Sequence, residues 1–199
     1  LEARLVEIEK RGELERVKLI YTVSEHGNPS GLSLEESRRG PLVELVRSWS
    51  RHHPIFILED AAYRGLTYGE SEPRSVWSHD PSGEHVILAR TFSKTLSPGL
   101  KVGYGILPAA LARAVAALKG NHDFGTTNFT QILLEHVLQD GSYDQQMVLL
   151  RQTYERKCQV ILRALRESFR GHEEQVAWTT PRGGIYVWMT FPPELSTDR

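Results

Sequence analysis

One stretch of the sequence, residues 86–94, reads VILARTFSK: an apolar run, then a polar segment that ends in a lysine. Short apolar runs without alternation are typical of strands buried on both faces, as in a sheet covered by helices. Two earlier stretches repeat the arrangement, since residues 17–23 precede a turn and residues 54–58 precede two acidic residues. A fourth strand is predicted over 102–107.

Helical patterns alternate with these strands. Ser33 and Glu36 match a capping box, which predicts a helix start, and this helix is expected to break or restart near Gly40-Pro41. A further helix is predicted over 109–118. The alternation predicts an α/β fold, with a mostly parallel sheet and helices on both faces.

The pattern changes near Gly141, where helical residues begin to dominate. Further helices and strands are predicted over 130–138, 143–169, 176–178 and 185–191. The sequence therefore predicts a partial large domain over 1–141 and part of a small α+β domain over 142–199. Because the chain opens inside an amphipathic stretch and ends after a strand with no closing helix, we expect it to be a fragment of a longer protein.

The composition excludes several classes of protein. The 199 residues carry 24 Lys+Arg against 25 Asp+Glu, so the net charge of −1 argues against a dedicated nucleic-acid or membrane-surface protein. No apolar run approaches the roughly 20 residues that span a bilayer. Cys158 has no partner for an intrachain disulfide, which favours a cytoplasmic protein. The eight histidines show no metal-ligand spacing.

The segment over 91–104 carries the strongest candidate site. Lys94 follows a buried strand, lies among hydroxyl residues and precedes a Pro-Gly pair. A lysine that holds a carbonyl as a Schiff base needs a confined position, and hydroxyls with a nearby cation, Lys101, suit a phosphate group. The residues alone equally permit a helix start with hydroxyl caps and a solvated lysine.

Two more polar loops follow predicted strands. Asp60 stands at a strand end beside small alanines, where an aspartate can keep a pyridinium nitrogen protonated. Tyr63 follows as a possible hydrogen-bond donor. Asn28 opens the turn at 28–31, which by itself indicates only a turn, and Asp60 alone is also compatible with a helix cap. The order of the three loops along the chain is more specific than any one of them.

Together these segments resemble the fold-type I pyridoxal-phosphate enzymes, in particular the class I/II aminotransferases. The tract over 91–104 is similar to their Schiff-base lysine segment, residues 60–63 to their Asp-x-x-Tyr segment, and residues 28–31 to their Asn-Pro-x-Gly segment. The turn at 181–184 is similar to the Pro-x-Gly-Gly turn of their small domain. Among subfamilies the chain looks closest to the alpha-aminoadipate, kynurenine and aromatic aminotransferases.

The resemblance implies a role for each residue at the cofactor ring. Lys94 would form the Schiff base with pyridoxal 5'-phosphate and later move the Cα proton. Asp60 would pair with the pyridine nitrogen. Tyr63 and Asn28 would hydrogen-bond the phenolic oxygen of the ring.

The resemblance also implies a phosphate site, from which this chain departs in part. Thr91 and Ser93 would offer hydroxyls to the phosphate. Lys101 stands where the family usually has an arginine, so it keeps the charge but loses the bidentate fork. The family's Gly-rich phosphate loop and ring-stacking aromatic residue do not occur before residue 21, and Arg182 is no obvious substitute for its C-terminal substrate arginine.

The implied activity is transamination between an amino acid and a 2-oxo acid, both small molecules. The resemblance further implies a homodimer in the full-length protein, with no nucleic acid and no membrane as partner. Two alternatives stay open at this point. One is another pyridoxal-phosphate enzyme, a Cα or Cβ lyase or a decarboxylase, and the other is the aminotransferase-like sensor domain of a transcription regulator.

Overall fold

A computed structural model describes residues 1–51, 53–69, 71–172 and 174–195. The helices are α1 (Glu2–Lys10), α2 (Glu36–Trp49), α3 (Ala109–Asp123), α4 (Asn128–Gln139) and α5 (Ser142–Ser168). The strands are β1 (Leu19–Thr22), β2 (Phe56–Asp60), β3 (Val86–Thr91), β4 (Gly103–Ile106), β5 (Ala177–Trp178) and β6 (Met189–Thr190). Among these described residues, no helix is both long enough and apolar enough to cross a membrane.

The central sheet has the strand order β1-β2-β3-β4. The first three strands are parallel, and β4 returns antiparallel to β3. The predicted α/β fold with a mostly parallel sheet is confirmed. Because β1, β2 and β3 are parallel, their carboxyl ends meet at one edge of the sheet, and the polar loops that follow them start side by side.

The main core lies between α2 and one face of this sheet. Val43 and Val46 of α2 pack with Ile57 and Val86 of the strands, and all four side chains are at most 3% exposed. Because side chains alternate along a strand, Ile57 and its second neighbour Glu59 point toward α2, whereas Asp60 points to the opposite face. The sheet therefore places Asp60 away from the core.

The predicted start of α2 is wrong. Its first residue is Glu36, and no side chain caps it. The Ser33 hydroxyl instead accepts a hydrogen bond from the backbone N–H of His26 at 2.9 Å, in a turn where His26 adopts a left-handed conformation. The expected break near Gly40-Pro41 is also wrong, since α2 continues through Pro41.

The C-terminal part packs on the carboxyl edge of the sheet. Met147 of α5 joins a small cluster with Tyr63 and Leu66, which follow β2. The strands predicted over 176–178 and 185–191 shrink to the two-residue pair β5 and β6. The connection between them extends to the loop after β2, where Gly183 bridges to Thr67 and the Gly184 N–H donates to the Leu66 carbonyl at 3.0 Å.

Candidate functional site

A cleft of about 200 Å³ opens on the sheet face that lies opposite α2. It is lined by Tyr21, Leu58, Asp60, Ala62, Ala89, Arg90 and Thr91. Two of the predicted site residues, Asp60 and Thr91, thus share one cleft at the ends of neighbouring strands. The small side chains of Ala62 and Ala89 keep the space between them open.

Both oxygens of Asp60 are held in place. Oδ2 accepts a hydrogen bond from the Tyr21 hydroxyl at 2.7 Å, and Oδ1 accepts one from the Ala62 N–H at 3.2 Å. The hydrogen bond to the Asp60 carboxylate raises the pKa of Tyr21, which keeps this phenol protonated as the donor. Tyr21 was not among the predicted site residues, although strand alternation in β1 could have placed it on the cleft face, beside Leu58 in the parallel register.

Tyr63 and Asn28 meet next to this cleft. The Tyr63 side chain is 7% exposed, and its hydroxyl lies 3.0 Å from the hydroxyl of Tyr186. Burial, followed by the hydrogen bond with Tyr186, raises the pKa of Tyr63 to about 12, while a hydrogen bond from the Asn28 side chain acts in the opposite direction. The structure therefore brings Asn28 and Tyr63 together and adds Tyr186, which the sequence did not indicate.

The hydroxyl residues after β3 form a compact turn. Thr91 Oγ1 lies 3.0 Å from Ser93 Oγ and also accepts the Ser93 N–H at 3.1 Å. Lys101 adopts a left-handed conformation with φ 53° just before β4. The Phe92 N–H donates to the Val102 carbonyl at 3.1 Å, so the segment that carries Lys101 adjoins the start of the turn after β3. Thr91 and Ser93 thus lie on one turn, and Lys101 belongs to the adjoining segment before β4.

Lys94 lies in the turn that directly follows Ser93, and its side chain is exposed. Within the described ranges it makes no side-chain hydrogen bond or ion pair, and it does not line the cleft that holds Asp60. The next residue, Thr95, is 1% exposed and fixes the turn in the protein interior. Lys94 thus stands exposed at the carboxyl edge, and within the described part of the chain its amine pairs with none of the other predicted site residues.

The donor set at this edge fits pyridoxal 5'-phosphate. Asp60 presents a carboxylate suited to a protonated ring nitrogen, and Tyr63 with Asn28 presents donors suited to a ring oxygen. The turn with Thr91 and Ser93 presents hydroxyls suited to a phosphate. The aromatic residue and Gly-rich loop expected from the resemblance have no counterpart among these residues, so the chain supplies one part of such a pocket.

A buried ionic network lies behind the site, and sequence reasoning missed it. Glu25 Oε1 accepts hydrogen bonds from Arg39 at 2.6 Å and from Arg64 at 2.7 Å. The Ser24 hydroxyl lies 2.6 Å from Glu25 Oε2 and 2.6 Å from Glu59 Oε1. Two carboxylates and two guanidiniums therefore balance in charge. The four charged residues are spread over residues 25–64 of the sequence, so no local pattern predicts that they are buried together.

Backbone groups complete this network. The Glu59 carboxylate accepts the N–H groups of Val76 and Trp77, each at 2.8 Å. Arg39 also donates to the carbonyls of Leu34 and Arg74. Because Glu25 stands three residues before Asn28 and Glu59 directly before Asp60, the network fixes both site-bearing loops from behind.

His26 joins the first of these loops to the C-terminal segment. Its ring is 3% exposed, and Nε2 lies 3.0 Å from Thr67 Oγ1. A side chain at Gly183 or Gly184 would collide with His26, so this close packing requires both glycines. Burial lowers the pKa of His26, which favours a neutral imidazole.

Comparisons with known proteins show the family of this chain. The family model "Aminotransferase class I and II" matches residues 1–198. Aromatic-amino-acid aminotransferase 1 of Thermococcus litoralis is 32% identical over 197 residues, which is 99% of this chain and 45% of that protein. The crystal structure of Pyrococcus horikoshii kynurenine aminotransferase, solved in complex with PMP, has a TM-score of 0.88 at 30% identity, covering 98% of this chain and 46% of that one.

Another relative is named as a transcriptional regulator and not as an aminotransferase. The uncharacterized HTH-type transcriptional regulator YisV of Bacillus subtilis is 29% identical over 182 residues, covering 92% of this chain and 36% of that protein. This chain therefore spans less than half the length of each of these relatives.

Proposed function

Because this chain belongs to the class I and II aminotransferase family, we propose that the whole protein transfers an amino group between an amino acid and a 2-oxo acid, using pyridoxal 5'-phosphate. One observation carries the proposal. The loops after β1, β2 and β3 place an amide with a phenol, a carboxylate and an exposed lysine at the same edge of the sheet.

Each of these residues has a distinct task in the proposed reaction. Pyridoxal 5'-phosphate, when bound, withdraws electrons from the substrate Cα through its ring. Asp60 would keep a proton on the ring nitrogen through its negative charge, and Tyr21 and Ala62 hold its two oxygens in place for this task. Tyr63 and Asn28 donate to the ring oxygen. Lys94 binds the cofactor through Nζ and moves the proton of the substrate Cα.

The turn after β3 is the proposed phosphate site. Thr91 and Ser93 contribute hydroxyls, and Lys101 contributes one positive charge from the adjoining segment before β4. An ammonium is a point charge, whereas an arginine would hold two phosphate oxygens at once. The support for this assignment is the hydrogen bond between Thr91 and Ser93, together with the backbone hydrogen bond from Phe92 to Val102, which joins their turn to the segment that carries Lys101.

The test is the substitution Lys94→Ala in the whole protein, with Lys119→Ala on α3 as the matched control. We expect the wild type and the control to absorb at roughly 410–430 nm with the cofactor, and to keep it on Lys94 after borohydride reduction and peptide mapping. The Lys94→Ala protein is expected to lose both the absorbance and transamination. Transamination that survives in Lys94→Ala would contradict the proposal.

The products separate this function from its alternatives. A transaminase forms a 2-oxo acid only when an acceptor acid is present, whereas a β-lyase releases ammonia and pyruvate without one. Cofactor binding with no turnover of any amino acid would favour a sensor domain. One of the relatives, the regulator YisV, is the reason to test for this role.

The proposal also includes a homodimer, a second domain and a cytoplasmic location. A homodimer is supported by large apolar side chains on and between α3 and α4, where Leu118, Phe124 and Phe129 are 70%, 95% and 74% exposed. A second domain over 142–199 is supported by the start of α5 directly after Gly141. A cytoplasmic location is supported by the single unpaired cysteine, Cys158.

A further inference from the structure

The contact between Tyr63 and Tyr186 joins the site to the C-terminal segment. The two hydroxyl oxygens are 3.0 Å apart, and the rings meet edge to face with centroids 5.5 Å apart and an interplanar angle of 82°. Tyr186 is half-buried, and the segment that carries it stands more than 100 residues away in sequence. Because the two tyrosines are so far apart in sequence, their hydrogen bond depends on how the C-terminal segment packs against the loop that carries Tyr63.

The docking is specified by backbone packing rather than by the tyrosine pair alone. A side chain at Gly31 would lie 2.5 Å from the Tyr186 carbonyl oxygen, so the loop that carries Asn28 contacts Tyr186 directly. Tyr68 donates from its hydroxyl to the Gly184 carbonyl, and the Tyr68 N–H donates to the Arg182 carbonyl at 2.9 Å. Tyr186 thus holds a fixed position beside Tyr63.

A phenol has one proton, so the direction of this hydrogen bond is chemically important. If Tyr63 donates to Tyr186, its proton is not available to a ligand at the site. If Tyr186 donates to Tyr63, the Tyr63 proton is free for the ligand, and accepting a hydrogen bond makes Tyr63 a stronger donor. A negatively charged oxygen in front of Tyr63 selects the second arrangement, because it attracts the Tyr63 proton.

We infer that Tyr186 is a positioning residue for the cofactor site: once the cofactor is bound, it donates to the Tyr63 hydroxyl and so directs the Tyr63 proton toward the ring oxygen of the cofactor. The inference rests on the proposed function for the identity of the ligand. It assigns to the C-terminal segment a part in tuning the cofactor, in addition to packing. The docking of that segment and the donor strength of Tyr63 are then linked through one hydrogen bond.

The experiment compares Tyr186→Phe with Tyr68→Phe in the whole protein. Phenylalanine at 186 keeps the ring packing on Tyr63 and removes only the hydroxyl. Phenylalanine at 68 removes a hydrogen bond that docks the same segment, at Gly184, without touching Tyr63. A purely structural role of Tyr186 would therefore give the two variants the same behaviour.

The first measurement needs no cofactor. The pKa of Tyr63 is followed by carbon NMR of labelled tyrosine, with Tyr63→Phe to assign the signal. Without a ligand, the hydrogen bond with Tyr186 raises the pKa of Tyr63, as expected when Tyr63 is the donor. We therefore expect Tyr186→Phe to lower this pKa from about 12, because that hydrogen bond and the charge of a second phenolate are both removed. Tyr68→Phe is expected to leave the value unchanged. An unchanged pKa in Tyr186→Phe, or an equal fall in Tyr68→Phe, would overturn the inference.

The second measurement uses the bound cofactor. We expect Tyr186→Phe to shift the pH midpoint of its visible absorbance upward by roughly half a unit, since one net hydrogen bond is weakened and the ring oxygen is less stabilised. Tyr63→Phe is expected to shift it further in the same direction. A midpoint equal to that of the wild type would contradict the role of Tyr186. If the wild type forms no adduct on Lys94, the proposed function fails, and the cofactor-free titration still decides whether Tyr186 controls Tyr63.

Discussion

Glu59 and Asp60 are neighbouring carboxylates at the end of β2, yet they lie in opposite surroundings. Glu59 is fully buried toward α2 and accepts two backbone N–H groups as well as facing the Ser24 hydroxyl. Asp60 lies on the other face, where it lines an open cleft and accepts from Tyr21. Strand alternation alone separates the two side chains.

The two carboxylates show that one face of the sheet stabilises the fold, whereas the other face carries the candidate site. A buried carboxylate is tolerated only when partners satisfy it, and the network with Ser24, Glu25, Arg39 and Arg64 supplies them behind the sheet. A carboxylate that is to meet a ligand must keep a free approach, and the cleft supplies it in front. We therefore expect substitutions at the two positions to affect different properties.

The largest effect is expected for Asp60→Asn in the proposed reaction. An amide cannot keep a proton on the ring nitrogen, so turnover is expected to fall by about 10²- to 10⁴-fold, the range that a placed proton contributes to a rate. The thermal midpoint should change little, because Tyr21 still finds an oxygen acceptor. Steady-state rates and thermal melts measure both, with Asp144→Asn on α5 as an exposed control. A rate close to that of the wild type would refute the role of Asp60.

Glu59→Gln is expected to reduce the stability of the protein more than its turnover. The amide places a donor against the N–H of Val76 or Trp77 and leaves the network with one positive charge in excess, so the free energy of unfolding should fall by about 3–5 kcal/mol. Chemical denaturation measures the loss, and Glu167→Gln on the surface of α5 is the control. A variant as stable as this control would show that the network does not depend on Glu59.

The smallest effect concerns His26, which follows Glu25 in the same loop. Burial lowers the pKa of His26 below its ordinary value of 6.5. As the pH falls, the unfolded chain therefore takes up a proton on this residue at a higher pH than the folded chain does. The free energy of unfolding should therefore be constant above about pH 7 and fall as the pH drops below 6.5. The loss from this one group is bounded at about 2 kcal/mol by pH 5.

His26→Gln should remove that part of the pH dependence, as measured by denaturation at several pH values. The exposed His122→Gln on α3 is the matched control and should follow the wild-type profile. The same slope in His26→Gln and in the wild type would show that another group causes the loss.

The sequence by itself determined the α/β fold and the order of the three loops, because apolar runs and turn residues are local signals. The segments with Asn28, Asp60 and Lys94 could be placed after their strands for the same reason, and the boundaries of α5 agree within one residue. The capping box at Ser33 and the break at Pro41 failed. At Ser33, a hydrogen bond with the neighbouring turn at His26 took the place of the local cap.

Only the tertiary structure decided which charges are buried and which tyrosines meet. Glu25, Arg39 and Arg64 are ordinary charged residues in the sequence, and they become one network because α2 and the loops after β1 and β2 converge. Tyr186 reaches Tyr63 because two glycines let the C-terminal segment pack on His26. Local patterns fix elements, whereas pairings between residues far apart in sequence depend on how those elements pack.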